Sequence, residues 1–287
     1  MLEVGKVNVS SEIINSLYNE GELSIERVFS DNWEIDSCFV LLRSEETGQS
    51  AIGCIVNNRI KLVAQKGLEF KGLTPKDLEQ TCFFHALKEF DLVVGVGSAG
   101  TGKTTISLAY ALDQLFKHSR KIVLCKPTHF VGISSNAIAP IPGDHRDKME
   151  GYISSYLVAL KRLFGRTYEH HLYQLEEEES LTFMPIELVR GMEFEDCTLI
   201  IDEAQNTTLH ELMSIISRVG KNSKCIVLGD LEQVDTTQRH EETGLCQLVN
   251  SNAFFENEYV SGVRLKGQHR GKLAQFASLV LSEYTTS

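Results

Sequence analysis

A short apolar run, Leu92–Val96, leads directly into Gly97-Ser98-Ala99-Gly100-Thr101-Gly102-Lys103-Thr104, and residues 103–117 then repeat apolar side chains at helical spacing. Few chain geometries accept this order. The glycines let consecutive backbone N–H groups curl around an anion. The helix that follows aims its free N-terminal donors at the same point. Lys103 is then placed to reach the β- and γ-phosphates of a nucleoside triphosphate, and the Thr104 hydroxyl to coordinate Mg²⁺. Ser98, Ala99, Thr101 and Thr105 fall in the same cradle. The competing reading is a glycine-rich turn with an incidental lysine; it gives no reason for the strand before and the helix after.

Two further motifs lie downstream. Residues 198–201 form a buried-strand pattern that ends in Asp202-Glu203-Ala204-Gln205. Asp202 is a candidate to hold the Mg²⁺ and its water shell, and Glu203 to polarise an attacking water. The alternative is a solvated acidic turn. A third strand, 224–228, runs into Gly229-Asp230-Leu231-Glu232-Gln233-Val234-Asp235. Groups just past a parallel strand lie on the rim where ligands bind, so Asp230 and Gln233 could sense the γ-phosphate or the water. The alternative is an ordinary polar loop. Gln80 offers a donor and an acceptor that suit an adenine edge, although its spacing alone predicts a surface residue.

Around these motifs the pattern alternates strand and helix. Residues 121–125 and 259–265 read as strands, and 209–219 and 271–284 as helices. A helix opens near Thr74-Pro75, with Thr74 as its N-cap and Asp77 in its first turn. Before it, 36–65 read as a small antiparallel meander whose last hairpin turns at Asn57-Asn58. A short helix is expected within 10–17, and Glu176–Glu179 as a solvated loop or helix end. The division expected is 1–70, an extension carrying the meander, and 71–287, the phosphate-binding domain.

Composition narrows the setting. Seven cysteines are scattered without a Cys-x-x-Cys pair, which favours reduced thiols in a cytoplasmic protein over disulfides or zinc. No apolar run reaches membrane-spanning length, and residues 1–9 do not read as a secretory signal. The net charge of −11 is unlike that of a dedicated sequence-specific nucleic-acid binder, though a local basic groove is compatible with it.

Taken together, the phosphate loop, Asp202-Glu203-Ala204-Gln205-Asn206-Thr207-Thr208 and Gly229-Asp230-x-x-Gln233-Val234-Asp235 resemble the PhoH-like family of phosphate-starvation-inducible ATPases, relatives of superfamily 1 helicases. Ile122-Val123-Leu124-Cys125-Lys126-Pro127 resembles its second motif, with lysine in place of the expected arginine. Ile141-Pro142-Gly143-Asp144 with Lys148-Met149, Arg190-Gly191, Ser217-Arg218-Val219-Gly220 and Gln268-His269-Arg270-Gly271-Lys272-Leu273-Ala274 resemble others. The resemblance runs from about Gly72 to Tyr284. It implies an α/β fold: a RecA-like or superfamily 1 helicase-like P-loop NTPase sheet flanked by helices and preceded by a small antiparallel β element. It also implies ATP hydrolysis with Mg²⁺ and action on RNA or single-stranded DNA. Residues 36–70 resemble the segment that follows a PIN nuclease domain in one branch of the family, which implies the ATPase part here without that nuclease.

Hydrolysis of this kind needs a cation opposite the γ-phosphate. With one phosphate loop in the sequence, the cation is expected from this domain or from a neighbouring copy. Arg270 is the first candidate and Arg190 the second; supply from a neighbour implies a homo-oligomeric ring, with a hexamer favoured by the resemblance. The plain alternative is an internal ion pair for either arginine. Basic groups at Lys117, Arg120, Lys121 and Lys126, at Lys161, Arg162 and Arg166, and at Arg264, Lys266 and Lys272 could form an electrostatic track near the rim, or be solvated helix ends. Phe130 and Tyr152 could stack on bases, or pack in the core. Two other functions remain in play: a nucleotide-dependent switch or scaffold for a protein partner, which the acidic charge suits, and a small-molecule kinase, which the Asp202-Glu203 pair argues against.

Overall fold

The computed structural model describes residues 2–29, 37–127, 145–189, 191–232 and 243–267. Its larger sheet is built from β6 (Leu92–Val96), β7 (Lys121–Lys126), β8 (Leu181–Pro185), β9 (Cys197–Ile201), β10 (Lys224–Gly229) and β11 (Val260–Arg264). All pair in parallel, in the order β11-β6-β10-β9-β7-β8. Every residue of β9 and β10 is buried, as expected for parallel strands covered on both faces. The covering helices include α2 (Leu78–Glu89), α3 (Lys103–His118), α4 (His145–Phe164), α5 (Tyr168–Glu177) and α6 (Leu209–Ile216). Two short helices, α7 (Gly244–Val249) and α8 (Asn252–Glu256), precede β11.

The strand order positions the chemistry. β10 lies between β6, which carries the phosphate loop, and β9, which ends at the acidic pair. The turn after β10 is therefore held between the other two motifs. The P-loop α/β fold expected from the sequence is the fold observed.

The smaller sheet goes beyond the expected meander. The meander itself is present as β3 (Phe39–Arg43), β4 (Ser50–Val56) and β5 (Arg59–Leu62), and Asn57 and Asn58 take φ of 50° and 56° at its turn. Two strands extend it. β1 (Gly5–Asn8) pairs in parallel with β3, and β2 (Glu22–Ser24) antiparallel with β5. With four and three residues these strands show too little alternation to be read from sequence.

Alternation along β3 sends Phe39 and Leu41 into the core of the larger sheet. Val40 and Leu42 go into a second core, with Ile14 and Leu17 of α1 (Ser11–Glu20). Both faces of β3 are thus buried, and one continuous apolar core joins the two sheets.

Two local expectations shift. α2 begins at Leu78 with Asp77, not Thr74, as its N-cap, because the Asp77 carboxylate accepts the Gln80 N–H at 2.7 Å. β8 was not expected as a strand; it adds an edge beside β7. The acidic run ends α5 as expected, with Glu179 at φ 50°. The expected helix 271–284 lies outside the described residues.

Candidate functional site

The phosphate loop sits at the C-terminal end of β6 and opens α3. Gly97, Gly100 and Gly102 take φ of 145°, 94° and 98°, a range that side-chain-bearing residues rarely adopt. A Cβ on Gly97 would also run into the backbone carbonyl of Leu265, just past β11. Gly97 N–H donates to the Gly229 carbonyl at 3.1 Å, which ties the loop to the turn after β10. The Lys103 ammonium folds back onto the loop, donating to the carbonyls of Gly97 and, at 3.0 Å, Ser98. Thr101 Oγ1 donates to the Ser98 carbonyl at 3.0 Å.

Gln80 is buried, not on the surface as its spacing predicts. Its Nε2 donates to the Thr101 carbonyl at 3.0 Å, and its Oε1 accepts from Lys76 N. The side chain fastens the start of α2 to the phosphate loop.

The acidic strand β9 brings Asp202 to the loop. Thr104 Oγ1 donates to Asp202 Oδ2 at 3.1 Å, across 98 residues of sequence. Burial pushes the Asp202 carboxyl above the usual carboxylate range. The Glu203 charge adds to this, while Lys103, Lys126 and the Thr104 hydroxyl oppose it. A hydroxyl and a carboxylate within hydrogen-bond distance form a hard-oxygen donor pair. That pair suits Mg²⁺, which takes one or two protein oxygens and completes its shell with phosphate and water. Among the described residues no cluster of three or more His, Cys, Asp or Glu could hold a metal by itself.

Glu203 sits at φ 56°, a left-handed conformation that costs a non-glycine residue about 1 kcal/mol or more. Two contacts act on its carboxylate: Gln205 Nε2 donates to Oε2 at 2.7 Å, and the Lys126 ammonium lies 4.0 Å from Oε1. The Gln205 side-chain oxygen, Oε1, in turn accepts the Asp230 N–H at 3.0 Å. Gln205 is 1% exposed and spans the gap between the acidic strand and the turn after β10. Its role was not read from the sequence. Nothing in its spacing points to that role; in the structure a Cβ at Gly229 would stand 2.7 Å from Gln205 Oε1, so the two sit in close contact. Asp230 is buried and its Oδ1 accepts the Glu232 N–H at 2.9 Å.

Lys103, Thr104, Thr105, Asp202, Glu203 and Asp230 thus meet around one cavity of about 340 Å³. Gln233, Arg190 and Arg270 lie outside the described residues, as do Phe130 and the side chain of Tyr152. The described basic groups do not form one track, and Lys272 lies outside the described residues. Lys117, Arg120 and Lys121 lie at the opposite end of the sheet from the phosphate loop, because α3 descends from the rim and β7 starts at its foot. Several are engaged within the chain: Lys117 with Asp113 at 2.8 Å, Lys266 with Glu3 at 2.8 Å, and Arg264 with Glu232.

A family model described as PhoH-like protein matches residues 72–278. The chain belongs to the PhoH-like protein family. It is 29% identical over 288 residues to Protein PhoH2 of Bacillus subtilis (strain 168), covering 95% of this chain and 62% of that protein. It is 34% identical over 171 residues to a PhoH-like protein of the same organism, covering 59% and 52%. The chain thus spans roughly half to three-fifths of the length of these two relatives. Among solved structures it is similar to the Pif1 helicase from Candida albicans at 16% identity and a TM-score of 0.38, over 74% of this chain and 44% of that one. The family start at residue 72 falls where the motif resemblance begins. This PhoH-like chain is a nucleotide-binding protein of the P-loop type.

Proposed function

We propose that this PhoH-like chain is a Mg²⁺-dependent ATPase that couples hydrolysis to binding or remodelling of RNA or single-stranded DNA. The observation that carries the hydrolytic part is the 3.1 Å contact between Thr104 Oγ1 and Asp202 Oδ2, with Glu203 next in sequence and held by Gln205. In this reading Thr104 and Asp202 hold the metal, which supplies charge neutralisation at the phosphates. Lys103 leaves its loop carbonyls for the β- and γ-phosphates, and Glu203 orients and deprotonates the attacking water. Gly97, Ser98, Ala99, Gly100, Thr101, Gly102 and Thr105 line the phosphate path, and Asp230 faces its far end. Gln80 fits an indirect role better than adenine contact, since both ends of its amide are already bonded within the chain.

The nucleic-acid part rests on the family kinship implied by the motifs. A cation completing the site from Arg270 or Arg190 of a neighbouring copy, in a ring, belongs to the same proposal. A second reading, a nucleotide-dependent switch acting on a protein partner, is favoured by the net charge of −11.

The test is steady-state ATP hydrolysis with and without EDTA, and with single-stranded RNA or DNA at low and moderate salt. Metal-dependent turnover is expected. It should be lost in Lys103→Ala together with nucleotide binding, and should fall at least about a hundredfold in Glu203→Gln with binding retained. Stimulation by nucleic acid that weakens with salt supports the first reading. Flat turnover supports the switch, and turnover indifferent to Glu203→Gln removes the assigned water-activating role.

A further inference from the structure

The nucleotide cavity has a second wall that none of the three motifs supplies. α4 contributes Ser155, Val158 and Arg162 to the lining that Thr104 and the carboxylates of Asp202, Glu203 and Asp230 share. These positions are spaced three, four and seven residues apart, so they share one face of the helix. α4 is held in place at the sheet by Tyr156, whose buried hydroxyl donates to the Cys125 carbonyl near the end of β7 at 2.9 Å. Side chains on a helix lean toward its N-terminus, so a long residue at 162 covers the turn before it, where Val158 and Ser155 lie. The Ser155 hydroxyl is buried and has no hydrogen-bond partner among the described residues.

Charge sets the need. The cavity is lined by three carboxylates and two cations, Lys103 and Arg162. A triphosphate adds several negative charges to a lining that is already net negative. The other cations nearby are engaged: Arg264 with Glu232, Lys266 with Glu3, and Lys126 beside Glu203. Arg162 has no ion pair among the described residues and is exposed at the lip of the cavity. An arginine with no ion pair among the described residues, lining the same cavity as the phosphate loop, presents the planar, five-donor fork that fits phosphate oxygens.

We infer that Arg162, from α4 of the same chain, is a phosphate-binding cation of the nucleotide site, so that the wall facing the phosphate loop is built in cis. This rests on the nucleotide-hydrolysis reading above, and it gives the site a cation that needs no neighbouring copy.

The experiment measures equilibrium binding of fluorescent ATP and ADP analogues, with Mg²⁺, to the full chain and to Arg162→Ala, Arg162→Lys and Lys161→Ala, alongside steady-state hydrolysis. Arg162→Ala should weaken triphosphate binding or lower kcat/KM roughly tenfold to a hundredfold. Arg162→Lys should recover part of that loss, and Lys161→Ala, on the exposed side of the same helix, should match the parent. An equal loss for ADP places the contact on the shared phosphates; a loss confined to ATP places it on the γ-phosphate. Both support the assignment. Mixing Arg162→Ala with Lys103→Ala should restore nothing, because each chain lacks part of its own site; recovery in the mixture would overturn the cis arrangement. Binding and turnover of Arg162→Ala within about twofold of the parent would overturn the inference while leaving the ATPase reading intact. A parent chain that binds neither analogue would remove both.

Discussion

Gln205 makes two hydrogen bonds of opposite sense at once, donating to Glu203 Oε2 and accepting from Asp230 N. A side-chain amide carries a donor and an acceptor on one planar group and so can serve both partners at once. The consequence is that the carboxylate assigned to water activation cannot shift without disturbing the turn that carries Asp230, and the reverse. Removing the amide leaves the buried Asp230 N–H unsatisfied, at a cost of about 1–3 kcal/mol in stability. The effect on turnover should be larger than that on affinity, because neither bonded partner of Gln205 belongs to the phosphate loop. Gln205→Ala is expected to lower kcat by about one to two orders of magnitude, with nucleotide Kd within about twofold of the parent. Calorimetric binding and a melting curve on the same preparation separate this from simple unfolding. A matching rise in Kd would show that Gln205 supports the loop itself.

At the scale of elements, the site depends on β11 and β10 flanking β6 closely enough that a side chain at Gly97 has no room. Leu265 N donates to the Val96 carbonyl at 2.8 Å, and its own carbonyl faces Gly97. Gly97→Ala would meet that carbonyl and impose a φ of 145° on an alanine, so it should cost more than about 2 kcal/mol. Its melting temperature should fall by several degrees even without nucleotide, whereas Lys103→Ala should melt close to the parent. A Gly97→Ala chain that melts normally but fails to bind would mean the glycine serves the ligand alone.

This contact also shows where sequence was sufficient. Leu92–Val96, the glycines and Lys103-Thr104 encode their own local geometry, so strand, loop and helix were legible. Asp202 was legible because a five-residue buried strand points to it. Not legible were the partners that meet through topology: Gln205 to Asp230, Gln80 to Thr101, and α4 lining the same cavity as Thr104. The N-cap of α2 was misplaced because Thr74-Pro75 and Asp77 are both good helix starts, and only the bond from Gln80 N decides between them. β1, β2 and β8 are short or at sheet edges, where alternation carries little information.

On the scale of the whole molecule, the two sheets share a core in which Cys38, Cys54 and Cys82 lie, while Cys125, Cys197 and Cys225 lie within the larger sheet. Burial raises all six thiols, Cys38 to about 11 and Cys125 to about 12. The linkage sign follows. A thiol whose native pKa lies above its unfolded value holds its proton longer in the native state. Above about pH 9 the unfolded chain therefore releases protons that the native chain keeps, and stability falls as pH rises. Lys224 acts in the opposite direction: burial lowers it to about 8, so between that value and about 10.5 the unfolded chain gains a proton and the native state is favoured as pH rises. Six raised thiols outweigh one lowered lysine, so the melting temperature should decline from pH 9 to 10.5. Lys224→Met, which removes the opposing group, should steepen that decline. At pH 8 a chromogenic disulfide reagent should titrate Cys246, the half-buried thiol, in the native chain and all seven after unfolding. Rapid native labelling of Cys38, Cys54 or Cys82 would mean that the join between the sheets opens, and that the smaller sheet is not part of one cooperative core with the nucleotide site.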